Sequence, residues 1–132
     1  MAYEETLVTQ SYKAESDLSD SQYRLVKVSA EDTVDLAAGS TDDIIGVNQG
    51  TSDSGEAAAV AVSGVTKVAA SEDISAGDLV MSNDDAKAQK VTSVADVTSG
   101  DLSDMTKLLG KVVSGAGAGE YASVLIDKQI AG

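Results

Sequence analysis

The second half of the chain repeats the first half, and this repeat constrains the fold more than any other sequence feature. Leu108-Leu109-Gly110 aligns with Ile44-Ile45-Gly46 at an offset of 64 residues, and Gly119-Glu120 aligns with Gly55-Glu56 at the same offset. Because the offset stays constant over this stretch, it indicates two copies of one supersecondary unit. Three apolar pairs continue the match: Ala58 with Ala122, Val60 with Val124, and Val62 with Ile126.

The repeat extends upstream at a smaller offset. Leu25-Val26 resembles Leu79-Val80 at an offset of 54, and the acidic turn Glu31-Asp32 resembles Asp84-Asp85 at an offset of 53. The rise to 64 predicts an inserted polar loop over residues 93–106. The repeat halves are therefore expected at about 18–70 and 71–132, closing one core.

Alternating apolar residues predict short strands throughout both halves. Residues 23–28, 33–36 and 57–62 alternate, and each stretch ends in turn-forming residues. The alanine-rich stretch 57–61 is predicted as a strand because Val60 and Val62 keep the alternation and Gly64 ends it. Strands at this spacing predict an all-β fold, a small β-sandwich or barrel built from two pseudo-repeated halves.

Residues 1–17 lack the pattern of the rest and are predicted to form an extended N-terminal arm before a single β domain at 18–132. The larger apolar side chains of the arm are Tyr3, Leu7, Val8 and Tyr12, too scattered to form a core of their own. Such a segment orders when it lies on another surface. The alternative is a frayed terminus or an edge strand of the domain.

Charge and composition exclude several classes of function. The formal net charge of −13 opposes binding of nucleic acid, since phosphates repel a polyanion. The apolar runs are far shorter than the roughly 20 residues of a membrane-spanning helix, so no membrane partner is expected. With no His and no Cys, the chain lacks the usual bases, nucleophiles and zinc ligands. We therefore expect no catalytic residues, no metal site, no cofactor and no enzymatic activity.

Three local motifs have chemical interpretations that their contexts disfavour. Asp53-Ser54-Gly55 is the tripeptide of aspartic proteases, but polar turn residues precede it and its repeat partner contains no Asp. The stretch 115–120 resembles a dinucleotide loop but lies between two predicted strands rather than before a helix. The acidic pairs Asp42-Asp43 and Asp84-Asp85 lack the ligand spacing of a calcium loop. An aspartic-protease-like enzyme using Asp53 remains the least favoured alternative.

The order of these segments gives the chain a family resemblance. Residues 17–27 (DLSDSQYRLVK), 44–47 (IIGV) and 55–68 (GEAAAVAVSGVTKV) carry it, and residues 74–80 (ISAGDLV) and 108–126 continue it. With this order, the chain is similar to the capsid cement (decoration) proteins of tailed bacteriophages and related archaeal viruses. The similarity covers nearly everything from Asp17 onward, although each motif consists of common small residues.

The resemblance implies a structural virion protein on the outer capsid surface, where it stabilises the icosahedral shell against internal DNA pressure. It implies the major capsid protein as partner and a homo-oligomer, with a trimer favoured and a dimer possible. The arm residues Tyr3, Leu7, Val8 and Tyr12 are the expected contacts with the capsid or a neighbouring subunit. The alternative is a surface spike or fibre-type binding module that recognises a host ligand.

Overall fold

The computed structural model describes residues 5–39, 42–91 and 107–126, and this part of the chain is built from nine β-strands. None of these residues lies in a helix, so the described part contains no helix able to cross a membrane. The all-β class predicted from the sequence is confirmed. The strands are β1 (Glu5–Ala14), β2 (Leu25–Ala30), β3 (Thr33–Leu36), β4 (Gly46–Asn48), β5 (Ala57–Ala69), β6 (Leu79–Ser82), β7 (Ala88–Lys90), β8 (Leu108–Ser114) and β9 (Tyr121–Ile126).

The first five strands close into a small barrel. The strand order runs β1-β3-β2-β4-β5, and β1 pairs with the first half of β5 as well as with β3, which closes the ring. The pairing of β1 with β5 is antiparallel and its pairing with β3 is parallel. We call this ring the first barrel.

The remaining strands form a second ring that shares β5 with the first. The second half of β5 pairs with β9 from Gly64 to Ala69, and the order continues β9-β8-β6-β7. A parallel bridge between Ala70 and Ala88 returns to the end of β5 and closes the ring. We call it the second barrel. One strand of 13 residues therefore belongs to both rings.

The two barrels have the same backbone register at fixed offsets. Pairing of Val47 with Ala61 recurs 64 residues later as Lys111 with Leu125. The turn before each final strand also recurs. The Glu56 carboxylate accepts from the Asp53 N–H at 2.9 Å, and the Glu120 carboxylate accepts from the Gly117 N–H at 2.9 Å. The sequence offsets thus correspond to equivalent hydrogen bonds, not only to similar residues.

The core of each barrel is filled from equivalent positions. Leu18 in the first barrel corresponds to Ile74 in the second, and their main-chain N–H groups donate to the equivalent carbonyls of Ser52 and Ala116, both at 2.9 Å. Both side chains are buried. Because the side chains are small, each ring closes tightly around them. The other buried pairs are Ala14 and Ala70, Val26 and Val80, Val34 and Ala88, Ala58 and Ala122, and Val60 and Val124.

The segment expected to be a separate arm contributes β1 to the first barrel. Ala14 donates to the Glu56 carbonyl at 2.9 Å, and Ala70, at the end of β5, donates to the Glu120 carbonyl at 2.9 Å. The strand β1 is therefore the equivalent of the second half of β5, so the structural repeat starts before Asp17 rather than after it. The sequence did not reveal this because residues 9–13 share only alternation, and no identity, with residues 65–69.

The repeat predicts inward-facing side chains at four positions in β5 and β9 and an inserted loop in the second half. Val60 and Val124 are fully buried and Ile126 nearly so, whereas Val62 is half-buried. The expected insertion loop 93–106 lies outside the described residues. The offset nevertheless rises from 54 at the β6–β7 hairpin to 64 at β8, so the additional residues fall between Val91 and Leu108.

Candidate binding site at the junction of the two barrels

The four side chains predicted to contact the capsid are not grouped on one surface. Tyr3 lies outside the described residues. Leu7 is half-buried against the larger core cluster, which includes Leu25, Val80 and Val124 and so spans both barrels. Tyr12 is half-buried against the core of the first barrel. Val8 is 47% exposed. Of the three described residues, Val8 alone presents a largely open apolar side chain, since pairing of β1 with β5 turns the other two against the protein.

The acidic motifs singled out in the sequence lie in ordinary turns. Asp53 is exposed in the turn before β5, and its carbonyl accepts from the Glu56 N–H at 3.1 Å. Asp42 accepts from the Ala38 N–H at 2.6 Å and pairs with Lys27 at 3.4 Å, so its carboxylate closes a loop. Asp84 and Asp85 are exposed. Across residues 5–39, 42–91 and 107–126 no three potential metal ligands come together.

Several equivalent positions of the two barrels carry chemically different side chains where the barrels meet. Loop residues 20–24 before β2 lie beside the end of β5, where the Tyr23 carbonyl accepts from the Ala69 N–H at 2.8 Å. In each of five pairs of equivalent residues, one barrel has an aromatic or cationic side chain at the junction and the other barrel has a small or acidic residue. The pairs are Tyr23 and Gly77, Arg24 and Asp78, Tyr121 and Ala57, Lys87 and Thr33, and Lys67 and Ser11.

Tyr23 occupies a backbone conformation that its equivalent fills with glycine. Tyr23 has φ of 67° and Gly77 has φ of 95°. The two N–H groups make equivalent bonds, Tyr23 to the Asn48 carbonyl at 2.7 Å and Gly77 to the Val112 carbonyl at 2.8 Å. A side chain in this left-handed region costs about 1–2 kcal/mol relative to glycine. The tyrosine ring must therefore make contacts that offset this strain.

The Tyr23 ring makes those contacts across the junction. It meets the Tyr121 ring edge-to-face, with centroids 5.3 Å apart and an interplanar angle of 75°. The Lys67 Nζ lies 5.7 Å from the Tyr23 centroid, within the range of a cation–π contact. Tyr23 also packs against the larger core cluster, while Tyr121 remains 49% exposed. The Tyr23 ring is therefore half-buried against the core, while the Tyr121 ring that it contacts is half-exposed to solvent.

A buried amide holds the Tyr23 loop in place. The Asn48 side chain is fully buried, and its Nδ2 donates to the Ser21 carbonyl at 2.9 Å and to the Gly50 carbonyl at 3.0 Å. Its equivalent in the second barrel is Val112, an apolar residue. Buried amides are kept where their hydrogen bonds are made, so Asn48 fixes the loop that carries Tyr23 and Arg24.

A cavity of about 110 Å³ opens beside this aromatic pair. Arg24 and Lys87 are its half-buried cations, and no described residue forms an ion pair or side-chain hydrogen bond with either group. Asp20, exposed, is its one carboxylate. The volume matches about three or four water molecules or one small polar group. The lining is completed by Gln22, Ala69, Ala70, Gly119 and Tyr121.

A second difference between the barrels is an exposed apolar row. Leu25 and Ala61, on the two strands that flank β4 in the first barrel, are fully buried in the cluster that joins the two barrels. Their equivalents Leu79 and Leu125 are 42% and 43% exposed on the second barrel. Lys111 lies between these two leucines in the same row of β6, β8 and β9. We call Leu79, Lys111 and Leu125 the open row.

Sequence reasoning did not single out the junction residues. The alignment of Leu25-Val26 with Leu79-Val80 extends two residues upstream to Tyr23-Arg24 and Gly77-Asp78. The detectable signal was divergence at repeat-equivalent positions: the single Arg of the chain and two of its four Tyr stand where the other copy has small or acidic residues.

Two solved phage structures have folds similar to this one. No protein-family model and no curated protein matches the sequence. The structure is similar to the head fiber gp8.5 N base of bacteriophage phi29, with a TM-score of 0.64 and 23% identity over 92% of this chain and 95% of that chain. It is also similar to a chain from the capsid of Myoviridae phage XM1, with a TM-score of 0.63 and 16% identity over 94% of this chain and 85% of that chain. Both come from phage heads, in agreement with the resemblance stated from the sequence.

Proposed function

We propose that this protein is a structural component of a virion that binds the outer surface of an icosahedral capsid and stabilises it. The observation that carries the proposal is the agreement in fold, over nearly the whole chain, with a base domain from a phage head fiber. The net charge of −13 supports a position outside the shell, because packaged DNA would repel the protein. No catalytic role is part of the proposal, since Asp53 is exposed in a turn.

The proposed partner is the major capsid protein, and two of the exposed apolar surfaces are proposed to contact it or further copies of this chain. One is Val8 on β1, which keeps part of the attachment role expected for the N-terminal segment. The other is the open row, whose leucines expose apolar area that a partner would remove from water. A homo-oligomer, with a trimer favoured and a dimer possible, is proposed from the family resemblance, and the exposed leucines would contribute to its contacts.

A fiber-base role is the second candidate, because the head fiber base has nearly the same length as this chain. In that case the protein would carry a longer projection or recognise a host ligand rather than cover the shell. The two roles place the protein differently on the particle. A decoration protein repeats over the whole head, whereas a fiber base occupies discrete sites from which projections extend.

Electron microscopy of virions labelled with an antibody against the purified protein tests the proposal. Regular labelling over the outer head surface is the expected result. Labelling confined to projections would favour the fiber-base role. Labelling of the tail alone, or none on virions that contain the protein by mass spectrometry, would contradict a position on the outer capsid surface.

A binding measurement addresses the attachment surfaces separately. Val8→Ser and Leu125→Ser are compared with the unchanged protein for saturation of capsids from which the protein has been stripped. Loss of saturation in one variant, with its fold intact by circular dichroism, identifies the attaching surface. Full saturation by both variants would remove both surfaces from the proposal.

A further inference from the structure

We propose that the junction cavity is a binding site for a carboxylate group, and that it takes an Asp or Glu side chain of a partner protein. This inference concerns the cavity lined by Arg24, Lys87 and Tyr121, and it goes beyond the proposed virion role. It requires only that some protein presents an acidic side chain, whatever its place in the particle.

The free hydrogen-bond donors of the cavity are side chains. The main-chain N–H groups of Ala69, Ala70 and Gly119 donate within the fold, to the carbonyls of Tyr23, Glu120 and Ala70 at 2.8, 2.9 and 3.0 Å. Among the described residues, no hydrogen-bond acceptor meets the Arg24 guanidinium, the Lys87 ammonium or the Tyr121 hydroxyl. Three donors of this kind around a small space match an anionic acceptor.

A singly charged carboxylate fits this site better than a larger or more highly charged anion. The protein carries a net charge of −13, so a multiply charged ligand is repelled strongly on approach. The cavity volume of about 110 Å³ admits a carboxylate head but not a nucleotide or a sugar. Arg24 offers the planar donor pair that a carboxylate accepts in bidentate fashion.

The surroundings point to a protein as the source of the carboxylate. The half-exposed Tyr121 ring lies against Tyr23 beside the cavity, and Tyr and Arg are the residue types that contribute most to protein–protein binding. The strained Tyr23 backbone and the buried Asn48 amide hold this arrangement rigid. Neither barrel repeats the arrangement. The second barrel has Gly77 and Asp78 where the first has Tyr23 and Arg24, and the first has Ala57 and Thr33 where the second has Tyr121 and Lys87.

A titration followed by ¹⁵N–¹H NMR tests the proposal on the full chain at constant ionic strength. The probes are a terminally blocked glycine peptide with one central glutamate, the same peptide with glutamine in place of the glutamate, and sodium acetate. We expect the glutamate peptide to shift the amide signals of Arg24, Lys87, Gly119 and Tyr121 in a saturable manner. Acetate should shift the same signals at higher concentration, and the glutamine peptide should leave them unchanged.

Matched variants identify the groups responsible. Arg24→Gln and Lys87→Gln are each expected to weaken glutamate-peptide binding by about tenfold. Lys111→Gln makes the same change in net charge at an exposed position in the open row, and it should weaken binding by less than about twofold. Asp20→Asn should tighten binding about threefold, because it removes the opposing carboxylate from the lining.

Several outcomes would overturn the proposal. No saturable shift with the glutamate peptide would show that the cavity does not bind a carboxylate. Equal weakening by Lys111→Gln and Arg24→Gln would show general charge attraction rather than a site. Saturation by acetate with the same affinity as the peptide would assign the site to free small carboxylates and remove the partner protein. If either Arg24→Gln or Lys87→Gln fails to fold, the other variant still tests whether a cavity cation binds the carboxylate.

Discussion

The two barrels have the same hydrogen-bond register but different surfaces. Core positions such as Leu18 and Ile74 remain apolar in both copies, because each ring must be filled. Leu25 and Leu79 are identical residues at equivalent positions, yet one is buried at the junction and the other is exposed. Identical local sequence can therefore have opposite roles, since the burial of an outward-facing residue depends on what the other barrel covers.

The junction shows the reverse case, in which equivalent backbone carries different residues. Tyr23 and Gly77 share a left-handed conformation and an equivalent main-chain hydrogen bond, but the first carries an aromatic ring. The register and the Gly-Glu turns are therefore shared by the two copies, while several residues that differ between them surround one cavity. Because binding residues stand on a rigid scaffold, such a group of differing residues is a candidate binding site.

The largest expected effect comes from Gly46→Ala on β4. A Cβ at this position would overlap the Ala61 carbonyl oxygen on the paired strand, so the two strands would have to separate. We expect a loss of at least about 3 kcal/mol in the free energy of unfolding, measured with urea. Gly55→Ala is the control: it meets no atom within 4 Å and is limited to the strain of a positive φ, about 1–2 kcal/mol. Similar losses in both variants would contradict the close approach at β4.

Leu18→Ala and Ile74→Ala test whether the barrels fold as one unit. Each substitution leaves a cavity in one ring and should lower the free energy of unfolding by about 2–5 kcal/mol. Because β5 belongs to both rings, each variant should still unfold in a single transition by calorimetry. Two separated transitions in either variant would show that the barrels are independent.

Leu25→Ala and Leu79→Ala compare the same residue at equivalent positions. Leu25→Ala should cost about 2–4 kcal/mol because it empties part of the cluster that joins the barrels. Leu79→Ala should change stability by less than about 0.5 kcal/mol, since its side chain is largely exposed. Thermal denaturation of the two variants side by side gives the difference directly. A large loss from Leu79→Ala in dilute protein would indicate that the open row is already covered in solution.

Tyr23→Gly gives the first barrel the same residue that the second barrel has at the equivalent position, Gly77. The substitution relieves about 1–2 kcal/mol of backbone strain but removes the half-buried ring and its contact with Tyr121. We expect a net loss of about 1 kcal/mol by urea denaturation, together with a change in the Tyr121 environment by near-ultraviolet circular dichroism. A gain in stability would mean that the ring contacts do not offset the strain.

Asp17→Asn is expected to have the smallest effect. The Ser19 hydroxyl and main-chain N–H hold the pKa of the Asp17 carboxyl below its ordinary value of 3.8. A lowered pKa stabilises the folded protein above the ordinary value, and this contribution is lost as pH falls through the lowered pKa. Because the carboxyl is fully exposed, the stability curves of the two proteins should nearly coincide at neutral pH and meet below pH 3.8. Curves that diverge as the pH falls would contradict this sign.

The fold class and the repeat of β4, β5, β8 and β9 could be predicted because they depend on local patterns. Alternation determines which side chains face inward, and Gly-Glu turns recur with the same hydrogen bonds. The place of β1 could not be predicted in the same way. Its partners are main-chain groups on β5 and β3, and main-chain pairing leaves little trace in the side chains of residues 9–13.

By itself, the amino-acid sequence determined an all-β chain of two related halves, acidic and without His or Cys. Tertiary structure alone decided that β1 completes the first barrel, that Leu25 is buried while Leu79 is exposed, and that Arg24, Lys87 and Tyr121 line one cavity. The physical reason is that turn chemistry and alternation act between neighbours in the chain. The burial of Leu25 and the grouping of residues around the cavity depend on contacts between residues that are distant in sequence. These residues come together because β5 belongs to both barrels.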